Sequence, residues 1–196
     1  LEYERAPVLF EVRGLPRDAA AQRDSWNGAG MDQYRGARIG LVVHCTDGHL
    51  LVPSYNAAIA YDADGEEVRR WEGASNHFAH FVELVRSRSE NDQRSSIEEG
   101  HVSSAMCHMG NVSHALGEPA SIDEISGRLP ESPWMREAWT RMREHLVANG
   151  LDAGRVRPIV GPRLTFDPER ERFAEPAANA LLARDYREPF VVPEKV

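Results

Sequence analysis

The sequence predicts an α+β fold: a largely antiparallel, open-faced sheet built from hairpins, covered on one face by helices, with no Rossmann domain. Three observations carry that expectation. Residues 37–71 hold four short runs of strand-forming residues, folded about Thr46-Asp47-Gly48 and Asp62-Ala63-Asp64-Gly65. Such turn-formers between apolar runs are a strong hairpin signal. The well-marked helical periods come afterwards, near 76–86, 99–117 and 132–148. Hairpins followed by helices pack as helices on one sheet face.

From the N-terminus, Leu1 to Gly14 alternates well enough for two strands. Leu1, Tyr3 and Arg5 share one face of the first, and Val8, Phe10 and Val12 share one face of the second. Arg5-Ala6-Pro7 interrupts them as a turn. Residues 15–35 are aperiodic and rich in Gly, Ala, Asp and Asn, which predicts a long loop. Trp26 in that loop either stacks on a sugar ring or plugs the loop onto the core. Strands are expected at 37–45, 49–53, 57–61 and 66–71. Ser75 or Asn76 then caps a helix to about Arg86, with Phe78, Phe81, Val82 and Val85 on one face.

The stretch from Glu99 to Gly117 differs in composition from its surroundings. The protein is 28% charged, yet no Asp, Glu, Lys or Arg occurs from Gly100 to Gly117. On a helical wheel Val102, Ala105, Met106, Met109, Val112 and Leu116 gather on one arc. Ser103, Ser104, Cys107, His108, Gly110, Asn111 and His114 occupy the other, with His101 at its edge. A helix without charges is expected to be packed on both sides. Its polar arc is either satisfied in that packing or turned toward a binding cleft or a second domain.

Residues 119–131 read as a connector with little core of its own. Ser132-Pro133 starts a helix that Asn149-Gly150 ends, with Trp134, Ala138, Met142 and Leu146 as its buried line. Ile159-Val160 follows, then a hairpin at 164–173 turning on Asp167-Pro168, then a short helix from Ala177 to Ala183. Gly161-Pro162 and the proline-rich end predict an arm that wraps another surface.

Composition excludes several functions. A net charge of -8 is unsuited to nucleic acid, whose phosphates demand basic patches. Apolar runs such as 39–43 are far too short to span a bilayer. Of 23 Lys+Arg, Lys195 is the one lysine, so no interior lysine exists for Schiff-base or phosphate chemistry. Cys45 and Cys107 stand apart without CxxC spacing, and neither a disulfide framework nor a zinc ribbon is readable. The chain opens on Leu rather than Met, and a piece or processed form of a longer product is expected.

Motifs for chemistry are sparse. His101 and His108 lie seven residues apart, about 10 Å along a helix, too far to share one zinc. His77 and His80, with Glu83 beyond, lack a third histidine or an HExxH pattern, and no metal site is expected. Ser103, Ser104 and Cys107 sit inside a helix rather than on an exposed elbow. Glu66-Glu67 and Glu98-Glu99 are adjacent and diverge, unlike a glycosidase pair. Gly28-Ala29-Gly30 lacks the third glycine and the strand-to-helix setting of a dinucleotide fingerprint.

Three stretches do resemble a known family. NHFAHFVELVRSR with HVSSAMCHMGNVSHALG, the opening VLFEVRGLP, and the tail LTFDPERERFAEPAANALLARDYREPFVVP are similar to the C-terminal part of Gfo/Idh/MocA oxidoreductases, in the bacterial branch with long C-terminal extensions. The resemblance implies a sheet-plus-helices core over 1–118 and a helical and hairpin extension over 119–196, packed on the same domain. It implies the substrate and oligomerisation side of an NAD(P)-dependent sugar or polyol oxidoreductase. NAD or NADP would then be held by an N-terminal Rossmann domain outside this sequence, and subunits would pair through the open sheet face. The family's Glu-Lys-Pro and Asp-x-x-x-His motifs are absent here, so this chain alone is expected to be inactive. Polar groups able to hold a polyol are Arg13, Tyr55, Asn76, His77, His101 and His108, each with a plain structural role as its alternative. A stand-alone carbohydrate-binding or assembly module fits the missing motifs equally, and a histidine-cluster metal hydrolase is a third reading.

Overall fold

The structure is a computed structural model that describes residues 6–24, 30–151 and 156–192. The chain divides into two compact units, each drawn from separated stretches of sequence. One comprises Phe10–Arg94 and Thr140–Leu151, the other Leu1–Leu9, Ser95–Trp139 and Asp152–Val196.

The first unit is built on a four-stranded antiparallel meander: β1 (Leu41–Cys45), β2 (Gly48–Ser54), β3 (Ala57–Asp62) and β4 (Glu67–Glu72), in that order across the sheet. The α+β class is therefore as expected, and the turns explain its register. Thr46-Asp47 closes the first hairpin, with Cys45 opposite Gly48. Gly48 has a φ of +150°, and a Cβ there would meet the Tyr61 carbonyl oxygen, so glycine is required. Tyr55-Asn56 closes the second, with Ser54 opposite Ala57. In the third, the Asp62 carboxylate accepts from the amides of Asp64 at 3.0 Å and Glu66 at 2.9 Å, a side chain standing in for turn backbone.

Residues directly opposite in antiparallel strands share a face. One face thus carries Val42 and His44, His49 and Leu51, and Ile59 and Tyr61. Leu51 and Ile59 are buried; the Tyr34–Ala37 bridge lies against this face, with Gly36 beside the Leu51 side chain. The other face carries Leu41, Val43, Leu50, Val52, Ala58, Ala60, Arg69 and Trp71. Leu41, Val43 and Trp71 are exposed there.

Several expectations are corrected in this unit. Residues 6–14 form no strand: Phe10 and Val12 are exposed. Alternation supplied a pleat without a partner, and Arg13 ties the segment to Asp32 instead. The expected long loop contains a helix, α1 (Ala19–Asp24), and a bridge between Pro16 and Met31. Asp18 caps α1 by accepting from the Ala21 amide, and three alanines follow in the best helix-forming residue. The Leu1–Arg5 strand and Trp26 lie outside the described residues. Helix α2 (His77–Ser87) starts at the expected Asn76 cap but buries no residue; Phe78 is 74% and Phe81 66% exposed.

The second unit centres on α3 (Ile97–Ala115), opened by a capping box between Ser96 and Glu99. The expectation of burial on both sides fails. The apolar arc is the packed one: Val112 is buried with Phe173 and Ala178, and Met109 and Leu116 pack beside them. The polar arc is exposed, as is Val102. Ser103 and Ser104 donate back to the Glu99 and Gly100 carbonyls, so the arc is solvated without needing charge.

Residues 119–131 also hold more than a connector. Strand β5 (Glu118–Pro119) is followed by α4 (Ile122–Arg128), with a capping box between Ser121 and Glu124 and with Ile122 and Ile125 buried. Helix α5 (Pro133–Ala148) begins and ends where expected, and Gly150 adopts a φ of +76° after it. Strand β6 (Ile159–Val160) pairs with β5, and β7 (Phe166–Asp167) pairs with β8 (Arg172–Phe173). The last helix, α6 (Pro176–Asn179), is shorter than expected. The arm wraps its own unit: Ser113 donates to the Pro162 carbonyl at 2.8 Å, and Gly161 lies against Ser113 so closely that a Cβ would collide.

Candidate functional site

Within the sheet-bearing unit, three short stretches meet at a cleft of about 310 Å³ lined by Arg13, Arg17, Asp32, Gln33, Arg141, Glu144, His145 and Ala148. Its floor is supplied by α5. Arg141, His145 and Asn149 follow at intervals of four and so share one helical face. Asn149 donates to the Pro16 carbonyl and to the His145 carbonyl, each at 2.9 Å. That pins the end of α5 to the segment carrying Arg13.

Ion pairs run through the cleft in a continuous row. Arg141 pairs with Glu11, Glu11 with Arg13, and Arg13 with Asp32. Arg13 also reaches the Arg141 carbonyl at 3.4 Å. The row carries two guanidinium groups and two carboxylates, so it is balanced in charge. Beyond it, the Nδ1 of His145 stands 3.7 Å from Asp32 Oδ2. His145 is 6% exposed, and its Nδ1 has no hydrogen-bond partner. Burial holds this imidazole below its ordinary pKa of 6.5; the Asp32 carboxylate opposes that shift and Arg13 adds to it. The ring is therefore neutral near neutral pH.

On its other side the row runs into rings. The Arg141 guanidinium covers Tyr34 at 4.1 Å, and the Tyr34 hydroxyl lies 3.2 Å from His44 Nε2. His44 stacks over His49, and His49 over Tyr61 at 4.9 Å. The second half of α5 is thus tied to the buried-face edge of the sheet.

Of the residues singled out in the sequence, Arg13 lies in this cleft, its side chain 11% exposed. Tyr55 projects fully from the β2–β3 turn. Asn76 caps α2, accepting from the Ala79 amide at 3.0 Å, and the His77 ring lies tilted beside Phe78, 4.1 Å between centroids. His101 bonds Glu171 at 2.6 Å and His108 is exposed on α3; both belong to the other unit. Among the described residues, no three His, Cys, Asp or Glu side chains group closely enough to hold a metal ion, and no helix is long and apolar enough to cross a membrane. Cys45 and Cys107 are free thiols.

Sequence reasoning missed Glu11, Asp32, Arg141 and His145. One signal was present: His145 falls on the helical line of Ala138, Met142 and Asn149, where a polar residue inside a packed stripe marks a site. The expected buried line of α5 placed Leu146 there and Trp134 at its start, whereas His145 is the buried residue and Trp134 is exposed.

Comparison of the chain with protein-family profiles, curated proteins and solved structures finds no match.

Proposed function

We propose that this chain is the substrate-side and assembly module of a sugar or polyol oxidoreductase of the Gfo/Idh/MocA kind, binding its ligand in the Arg13–Asp32–His145 cleft. NAD or NADP is held by a Rossmann domain outside these 196 residues. The observation that carries the reading is the cleft itself. It is concave and balanced in charge, and it mixes guanidinium donors with carboxylate and imidazole acceptors. A balanced set of donors and acceptors suits neutral hydroxyl groups better than an ion. The resemblance of the three sequence stretches supplies the sugar or polyol class and the missing cofactor domain. The exposed face of Leu41, Val43 and Trp71 supports the assembly role.

Titration calorimetry of the full chain with glucose, ribose, myo-inositol and glycerol tests it. At least one of these should bind saturably, and Arg13→Ala should weaken that binding, while NAD and NADP should show none. No saturable binding of any of the four, or micromolar affinity for nicotinamide cofactor, overturns the reading.

A further inference from the structure

The cleft contains one buried group that the ion-pair row leaves unused. His145 is enclosed by α5, by the segment carrying Arg13 and by the segment carrying Asp32, and its Nδ1 faces Asp32 Oδ2 without a hydrogen bond. With Nδ1 enclosed, Nε2 is the ring nitrogen left for a molecule in the cleft.

We infer that Asp32 and His145 form a carboxylate–imidazole dyad: Asp32 holds the proton on Nδ1, and Nε2 accepts a hydrogen bond from a ligand hydroxyl. The inference rests on the reading of the cleft as a polyol site and adds the residue pair that anchors the ligand. A separation of 3.7 Å is longer than a hydrogen bond, and such pairs commonly tighten once a ligand fills the site. A carboxylate behind a ring nitrogen fixes the tautomer and leaves the opposite nitrogen as an acceptor. Asp32 is already oriented for this, because Arg13 grips the same Oδ2 at 2.5 Å. The hydroxyl's own oxygen then falls among donors, since Arg17 and Arg141 line the same cleft.

The dyad makes binding depend on pH. The charged or titratable groups around the ring are Asp32, Arg13, Arg17, Arg141, Glu11 and Glu144. Of these and the ring itself, the imidazole is the group whose protonation decides whether Nε2 can accept. A protonated ring has no acceptor lone pair, so ligand affinity falls as pH drops through the imidazole range and holds level above it.

Nitrogen-15 NMR of histidine-labelled full chain tests the dyad, with glucose, ribose, myo-inositol and glycerol added one at a time. The expected result is an Nδ1-protonated His145 whose Nε2 resonance moves on saturation with whichever polyol binds. Binding by that polyol should weaken about tenfold in His145→Phe, which fills the same space without an acceptor, and partly recover in His145→Gln. Asp32→Asn should lose the tautomer preference. If a polyol binds with its affinity unchanged in His145→Phe, or leaves the Nε2 resonance unmoved, the dyad is overturned and the polyol site stands. If none of the four binds, the polyol site falls and the dyad with it.

Discussion

Arg141 does two jobs with one guanidinium: it lies 4.1 Å above the Tyr34 ring and bonds Glu11. It therefore joins the ring row on the sheet to the ion-pair row in the cleft. A planar guanidinium can stack and pair together, whereas a lysine ammonium is a point charge that does neither well.

Replacing Arg141 should consequently cost stability even with lysine. Partial exposure of both partners, 25% and 26% by side chain, discounts the ion pair. We expect a loss of about 1 kcal/mol for Arg141→Lys and about 2 kcal/mol for Arg141→Ala. Urea unfolding measures both. Equal stability of Arg141→Lys and the parent would show that the stacking contributes nothing.

His145 sets an acid limit on the fold. Its folded-state pKa lies below 6.5 because burial disfavours the charged ring. The unfolded chain thus takes up this proton first as pH falls. The contribution is level above 6.5 and becomes a loss below it, until the folded ring titrates too. Urea midpoints at about pH 7.5 and about pH 5 should differ less in His145→Gln than in the parent. Matching differences would mean that the imidazole is not the group responsible.

Two glycines should respond in opposite directions. Gly161 packs on Ser113, where a Cβ would strike the Ser113 backbone and Oγ. Gly161→Ala should cost about 1–3 kcal/mol, because the arm must lift from α3. Gly110, within α3, has nothing within 4 Å of an added Cβ. Gly110→Ala should stabilise by about 0.5–1 kcal/mol through helix propensity alone. Thermal melts of the pair decide the point, and a destabilised Gly110→Ala would show that the polar arc of α3 is covered in solution.

The contrast between those glycines also marks where the sequence was legible. Hairpins were readable because their turns are local: Thr46-Asp47-Gly48 and Asp62 carry their own hydrogen-bonding instructions. Caps at Asn76 and Ser132-Pro133 were readable for the same reason. Burial was not, because periodicity identifies the apolar arc of a helix but not what covers it. The stripe of α2 is as clear as that of α3, yet Phe78 and Phe81 are exposed while Val112 is buried. The cleft was least legible. Glu11 and Arg13 come from a stretch whose alternation reads as a strand, Asp32 comes from an aperiodic one, and their partners Arg141 and His145 lie more than a hundred residues further along. Only one of the six residues chosen in the sequence, Arg13, falls in it.

The sheet itself supplies the last prediction. Its open face carries Leu41 and Val43 from β1, Leu50 and Val52 from β2, Ala58 and Ala60 from β3, and Trp71 from β4. Among its strand residues the charges are Asp62, at the end of β3, and Arg69, whose guanidinium lies 4.8 Å over the Trp71 ring. An antiparallel sheet tolerates one wet face when that face is polar, and this one is not. Its edge at β4 opposes pairing in register with itself, since Arg69 would stand across from Arg70 of a second copy and like charges would meet. Face-to-face contact avoids that conflict and covers the apolar side chains. We therefore expect a homodimer, or a higher oligomer, that buries at least about 1,200 Å² in total through this face. Light scattering over a concentration series should report at least twice the 22.0 kDa chain mass. Leu41→Arg with Val43→Arg should return the chain to a monomer, because buried arginines facing their own copies lack partners. A parent that stays at one chain mass well above micromolar concentration would rule the assembly out. A double variant that still self-associates would place the contact elsewhere, with the exposed stripe of α2 as the next surface to alter.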